Sequence, residues 1–245
     1  MKPLRPFLIA LQFLTRLPVH LQEHPDDHDI GQSMLYYPLV GLLLGLLLAT
    51  LAWVMGDSST LLRAACLLAA WVLLTGGLHL DGLADTADAW AGGLGNRERT
   101  LAIMKDPYCG PVAVVVLIVL LLLKLASLEA LRLNARRCPL CWRHSSAASR
   151  CSPCFSTPYV RRGGLGEVLA RELPRQPTAI VVLSAVAAIT LIAGLYALWL
   201  LASAFITFTL LRTLMLRRLG GTTGDTAGAL VQLVEASVLI TAAMV

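Results

Sequence analysis

Apolar residues fall along this chain in long blocks separated by a few short polar stretches. The blocks cover residues 35–55, 61–80, 111–128, 178–216 and 229–245. A helix needs about 20 apolar residues to cross a bilayer. The first three blocks each suit one crossing. Block 178–216 is long enough for two, with a tight turn expected near residues 199–203, and 229–245 gives a short last one. None of the blocks alternates polar and apolar residues with period two, which argues for helices and against a barrel. Residues 4–17 are apolar but shorter, and Arg16 and Pro18 interrupt them with no small-residue cleavage site following. They read as a membrane-dipping or interfacial helix rather than a cleavable signal. The pattern predicts an all-α, polytopic integral membrane helical bundle of about six to seven membrane helices, in a single domain over residues 1–245.

Composition agrees. Hydrophobic residues make up 57% of the chain and charged residues only 14%, with a mean hydropathy of +0.72. A soluble domain carries nearer a quarter charged residues. The formal charge of +5 suits basic cytoplasmic loops and anionic substrates, and gives no reason to invoke nucleic acid. Lipid is the expected surrounding partner, and homo-oligomers are compatible with the sequence.

Chemistry has few places to sit: residues 20–33, 81–106, 129–177 and 217–228. Residues 20–33 hold three of the five histidines near Asp26, Asp27 and Asp29. No clean spacing groups them as metal ligands, so they read as a solvated loop. Residues 75–88, TGGLHLDGLADTAD, are more informative. Asp81, Asp85 and Asp88 stand at i, i+4 and i+7, one face of a helix. Three carboxylates on one face repel one another unless a cation sits among them, and hard oxygen donors favour Mg²⁺ or Mn²⁺. Gly82 and Ala84 leave room for close approach, and His79 adds an acid, base or ligand. The cluster lies where an apolar block ends, and ionisable residues at membrane depth mark function. The pattern partly resembles the metal site of the CDP-alcohol phosphotransferases, without the arginine and the spacing of that motif.

HLDGLADTADA, followed by Arg97-Glu98-Arg99 and Ile103-Met104-Lys105-Asp106, resembles the central signature of the cobalamin synthases. FLTRLP at residues 13–18, YPLVGLLLG at 37–45, TPYVRRGGLG at 157–166 and GGTTGDTAGALVQLVE at 220–235 resemble further motifs of that family, in the same order. Pro107-Tyr108 stand where the commoner family text has Ser-Arg. Gln232 replaces a frequent glutamate, and Glu235 is kept.

The resemblance implies a Mg²⁺-dependent adenosylcobinamide-GDP ribazoletransferase. Alpha-ribazole, or its 5′-phosphate, attacks the pyrophosphate of adenosylcobinamide-GDP, GMP leaves, and adenosylcobalamin or its 5′-phosphate forms. On this reading Asp81, Asp85 and Asp88 hold Mg²⁺, while Arg16, Lys105 and Arg161 neutralise phosphate oxygens. Asp225, in the Thr-rich turn with Thr223, completes the metal site or binds substrate. His79 and Asp106 are the candidate bases. A bacterial inner membrane, with the site facing the cytoplasm, is the implied location. The alternatives are a CDP-alcohol-type lipid phosphotransferase and an ion-coupled transporter. Transporters usually carry inverted repeats, and no repeat is visible.

Residues 138–156 stand apart. Cys138, Cys141, Cys151 and Cys154 form a paired CxxC pattern that reads as a zinc site. The resemblance instead places a membrane helix there. Cysteine, tryptophan and many serine codons become codons for Leu, Val, Ile, Met or Phe when the frame moves by one base, so a frame-shifted helix is the second reading. A crossing there also puts Arg16, residues 81–106, Arg161 and Asp225 on one face of the membrane.

Overall fold

A computed structural model describes residues 4–21, 24–56, 58–133, 157–161 and 163–245. Among them the chain is helical apart from loops and one isolated parallel bridge, between Tyr159 and Thr222. In order the helices are α1 (Arg5–Leu14), α2 (Asp27–Ser33), α3 (Tyr37–Val54), α4 (Thr60–Thr75), α5 (Leu78–Gly92) and α6 (Arg97–Ile103), followed by α7 (Pro111–Leu133), α8 (Leu165–Arg171), α9 (Arg175–Ala193), α10 (Tyr196–Leu219) and α11 (Gly224–Met244). A 3₁₀ turn at Met34–Tyr36 joins α2 to α3.

Five helical stretches among the described residues are long and apolar enough to cross a membrane: Asp27–Val54, Pro111–Leu131, Arg175–Ala193, Tyr196–Leu219 and Gly224–Met244. The bent pair α4–α5 makes a sixth if it is counted as one broken span. This is the all-α membrane bundle expected from the sequence. The zinc and frame-shift readings of residues 138–156 fall outside the described residues.

Three details differ from the hydropathy reading. Block 61–80 is not one straight span. Gly76 and Gly77 take φ of +64° and +70°, a region that suits glycine, and α5 leaves α4 at 88°. The turn in block 178–216 falls at Gly194, φ +57°, rather than at 199–203, which lie inside α10. The final helix starts at Gly224 rather than 229, because Thr223 caps it in a capping box with Thr226. Part of the expected solvated loop at 20–33 is also ordered. α2 buries Ile30, Gly31 and Ser33, and its Asp27 and Asp29 pair with Arg171 and Arg5.

α11 is the hub. Most of it is buried from Thr226 to Leu239, against α5, α7 and α10. Leu83, Leu120, Ala229 and Ala236 form the packed centre between α5, α7 and α11. α1, α2, α3 and α8 build a second core around Ala10, Leu14, Met34, Leu44 and Leu169. α9 buries only Ile189 and presents Leu183 and Leu191 outward, a surface suited to lipid rather than water.

Candidate active site

α5 carries the carboxylates, and glycines bring it against α11. A Cβ at Gly82 would lie 2.7 Å from the Asp225 carbonyl, and one at Gly228 would meet the His79 backbone at 3.4 Å. Only small residues let two helix backbones approach this closely. The crossing therefore sets Asp225, in the first turn of α11, beside the start of α5.

A loop strap supplies the cation. The Val160 N–H donates to the Thr222 carbonyl at 2.9 Å, and the Thr222 N–H donates to Pro158 at 2.8 Å. Gly221 packs under Pro158 with no room for a side chain. Tyr159 lies over Gly166, and its hydroxyl accepts from the Gly224 N–H. Burial raises the pKa of this phenol above its ordinary value. The strap delivers Arg161, whose Nη1 donates to Asp225 Oδ2 at 2.9 Å. Asp85 feels the like charges of Asp81, Asp225 and Asp88 and the opposing charge of Arg161. Four carboxylates and one guanidinium thus gather at one end of the bundle.

A cleft of about 450 Å³ opens there, lined by Asp85, Asp88 and Asp106 together with Ile103, Tyr108 and Pro111. Asp106 Oδ1 accepts from the Tyr108 N–H at 3.1 Å. Lys105 is exposed in the same turn. Arg16 lies over the α4–α5 bend, its side chain packed on Gly76 and its backbone N–H donating to the Leu74 carbonyl at 2.8 Å. His79 is half-buried in the first turn of α5 and does not line the cleft.

Two of the expected site residues also have structural partners. Asp88, expected as a metal ligand, has both its oxygens engaged at the start of α7. They accept from the Gly110 N–H at 2.6 Å and the Ala113 N–H at 2.9 Å. α7 begins at Pro111, so Asp88 supplies from another helix the cap that α7 needs. Thr223, expected to bind substrate, is wholly buried. Its hydroxyl accepts from the Thr226 N–H as the α11 cap. Arg97 and Arg218 had no assigned role in the sequence reading. Arg97 donates to the last carbonyl of α10, Leu219, at 2.8 Å, and Arg218 donates to the Trp90 carbonyl near the end of α5 at 3.1 Å. Together they tie α5 and α6 to α10.

Among the described residues no three His, Cys, Asp or Glu side chains converge closely enough to cage a metal by themselves. Mg²⁺ does not require such a cage. It is commonly held by one or two carboxylates plus substrate phosphates and waters. Asp81, Asp85 and Asp225 fit that description as hard, mutually repelling oxygen donors opposed by a single arginine.

Comparison with known proteins bears on the family of the chain. The cobalamin-5-phosphate synthase family model matches residues 6–243. A Pseudomonas fluorescens adenosylcobinamide-GDP ribazoletransferase is 52% identical over 240 residues, 98% of this chain and 99% of the relative. Enzymes of the same name from Pseudomonas entomophila and Stutzerimonas stutzeri are 50% and 53% identical, covering 96% of this chain and 97% and 96% of the relatives. No solved structure matches. The order of the motifs along the chain, the acidic end of the bundle they build and this near full-length likeness place the chain in the cobalamin-5-phosphate synthase family.

Proposed function

We propose that the chain is an adenosylcobinamide-GDP ribazoletransferase that works at the acidic end of its bundle. The carrying observation is the convergence of Asp81 and Asp85 on α5 with Asp225 on α11 and Arg161 on the strap. These relatives favour neither a lipid phosphotransferase nor a transporter.

Phosphoryl transfer asks mainly for positioning and charge neutralisation. Mg²⁺, held by Asp81, Asp85 and Asp225, would offset charge on the substrate pyrophosphate. Arg161 orients Asp225 and keeps its remaining guanidinium donors for a phosphate oxygen. Lys105, next to Asp106 in sequence, and Arg16, over the α4–α5 bend, are further candidate cations. Asp106, which lines the cleft along with Asp85, is assigned to take the proton of the attacking ribazole hydroxyl. His79, outside the cleft lining, keeps α5 packed on Gly228. The site faces the cytoplasm of a bacterial inner membrane on this reading.

The test is direct. Purified protein is incubated with adenosylcobinamide-GDP, alpha-ribazole and Mg²⁺, and the products are separated by chromatography. The expected result is GMP and a cobalamin in equal amounts, with no product in excess chelator. Absence of GMP release from folded protein would refute the reading, and turnover unchanged in chelator would refute the Mg²⁺ assignment.

A further inference from the structure

Lys124 interrupts the most apolar run of the chain, VVVLIVLLLLKLA in α7. It is only 3% exposed, and Glu235, which faces it from α11, is 2% exposed. The Lys124 Nζ donates to Glu235 Oε2 at 3.1 Å and to Gln232 Oε1 at 2.6 Å. It also lies 4.6 Å from the ring centre of Trp71 on α4. One ammonium thus touches α4, α7 and α11.

All three of these helices are joined to the carboxylate-bearing α5. α4 continues into α5 through the Gly76–Gly77 bend. Asp88 of α5 caps the first turn of α7. α11 crosses α5 at Gly82 and Gly228. From Lys124 back to Ala113 is eleven residues, about 16 Å of helix, and from Glu235 back to Asp225 is ten residues, about 15 Å. The two arms are equal to within a residue, so the pair fixes how far α7 and α11 reach toward the cleft.

Stability alone does not explain such a pair. Buried ion pairs are often replaced by well-packed apolar residues without loss of stability. Leucine- and alanine-rich helix faces, however, have no directional contact to stop one helix sliding along another. Hydrogen bonds from one ammonium to two acceptors on consecutive turns of α11 supply it, as a buried polar residue does for register in coiled coils.

We propose that Lys124, through Glu235 and Gln232, is a positioning residue for the transfer site. It locks the axial register of α7 against α11, and so holds the Asp88-capped turn and Asp225 level on either side of α5. The kinetic part of the test rests on the transferase reading, while the amide-exchange part does not.

The experiment uses the full chain carrying Lys124→Met with Glu235→Leu, and a second form with the charges exchanged, Lys124→Glu with Glu235→Lys. kcat, KM for both substrates, thermal unfolding and amide exchange at Gly110 and Ala113 are compared with wild type. The apolar pair is expected to unfold like wild type. Its kcat should fall about a hundredfold, the scale of an ångström-sized misplacement, with KM changed much less, and Gly110 and Ala113 should lose protection. The exchanged pair should recover most of both. Wild-type kcat, or wild-type protection, in the folded apolar pair overturns the proposal. If the apolar pair does not fold, the exchanged pair decides: recovery of kcat and protection supports the lock, and loss of either in a folded protein overturns it. If wild type itself releases no GMP, the transferase reading fails and exchange alone decides the lock.

Discussion

At the scale of single residues, the aspartates on one face of α5 do different jobs. Asp85 meets the charges of Asp81, Asp225 and Arg161, whereas Asp88 accepts two backbone N–H groups at the start of α7. Asp88→Ala should therefore act on stability. Losing a helix cap costs about 1 kcal/mol, so thermal unfolding in detergent should shift downward, with part of the turnover surviving in the folded fraction. Unchanged stability with abolished turnover would return Asp88 to the metal site. The i, i+4, i+7 spacing was legible because helix geometry is local. The role of Asp88 was not, because its partners lie 22 and 25 residues further along the chain. The same is true of the Arg161–Asp225 pair, 64 residues apart. Lys124 went unread inside its leucine run, because sequence spacing cannot name Glu235, 111 residues away, as its partner.

At the scale of helices, glycines decide where apolar blocks break and where helices touch. Hydropathy is blind to direction, so block 61–80 reads as one span although the chain turns through 88° within it. Pattern did foresee that 178–216 must fold back on itself, but placed the turn several residues late, where Gly194 was the real signal. The close crossing of α5 and α11 gives the sharpest consequence. Gly82→Leu would push a side chain into the Asp225 backbone. Overpacking of this kind typically costs about 1–3 kcal/mol. The variant should unfold at lower temperature and lose turnover, and a smaller residue such as alanine at 82 should do less harm. A leucine variant with wild-type unfolding and activity would mean that the helices do not meet there.

At the scale of the whole molecule, motifs scattered from residue 81 to residue 225 converge on one end of the bundle. α7 starts at the cleft and extends over 23 residues, about 34 Å, while residues 157–161 are strapped beside Thr222, three residues before Asp225. The sequence put residues 81–106, Arg161 and Asp225 on one membrane face only if a helix crosses at 138–156, which lies outside the described residues; among the described residues Arg161 and Asp225 meet beside Asp85. Cysteine labelling reads which side of the membrane they face. Cys109 is exposed beside the cleft. With the other cysteines replaced by serine, Cys109 alone, and a Gly220→Cys variant lacking Cys109, should both react with a membrane-impermeant maleimide only from the cytoplasmic side of inverted vesicles. Reaction of the two sites from opposite sides would break the single-site arrangement.

If the carboxylates of α5 and α11 carry the transfer reaction, turnover must depend on Asp85, and Asp85→Asn in folded, detergent-purified protein measures that dependence. The substitution keeps the shape of the side chain and removes one negative charge from the group facing Asp81, Asp225 and Arg161. The predicted result is GMP release lowered by about a thousandfold, on the scale of losing a major electrostatic contact in an active site, with extraction and thermal unfolding like wild type. GMP release within a few-fold of wild type would contradict the account.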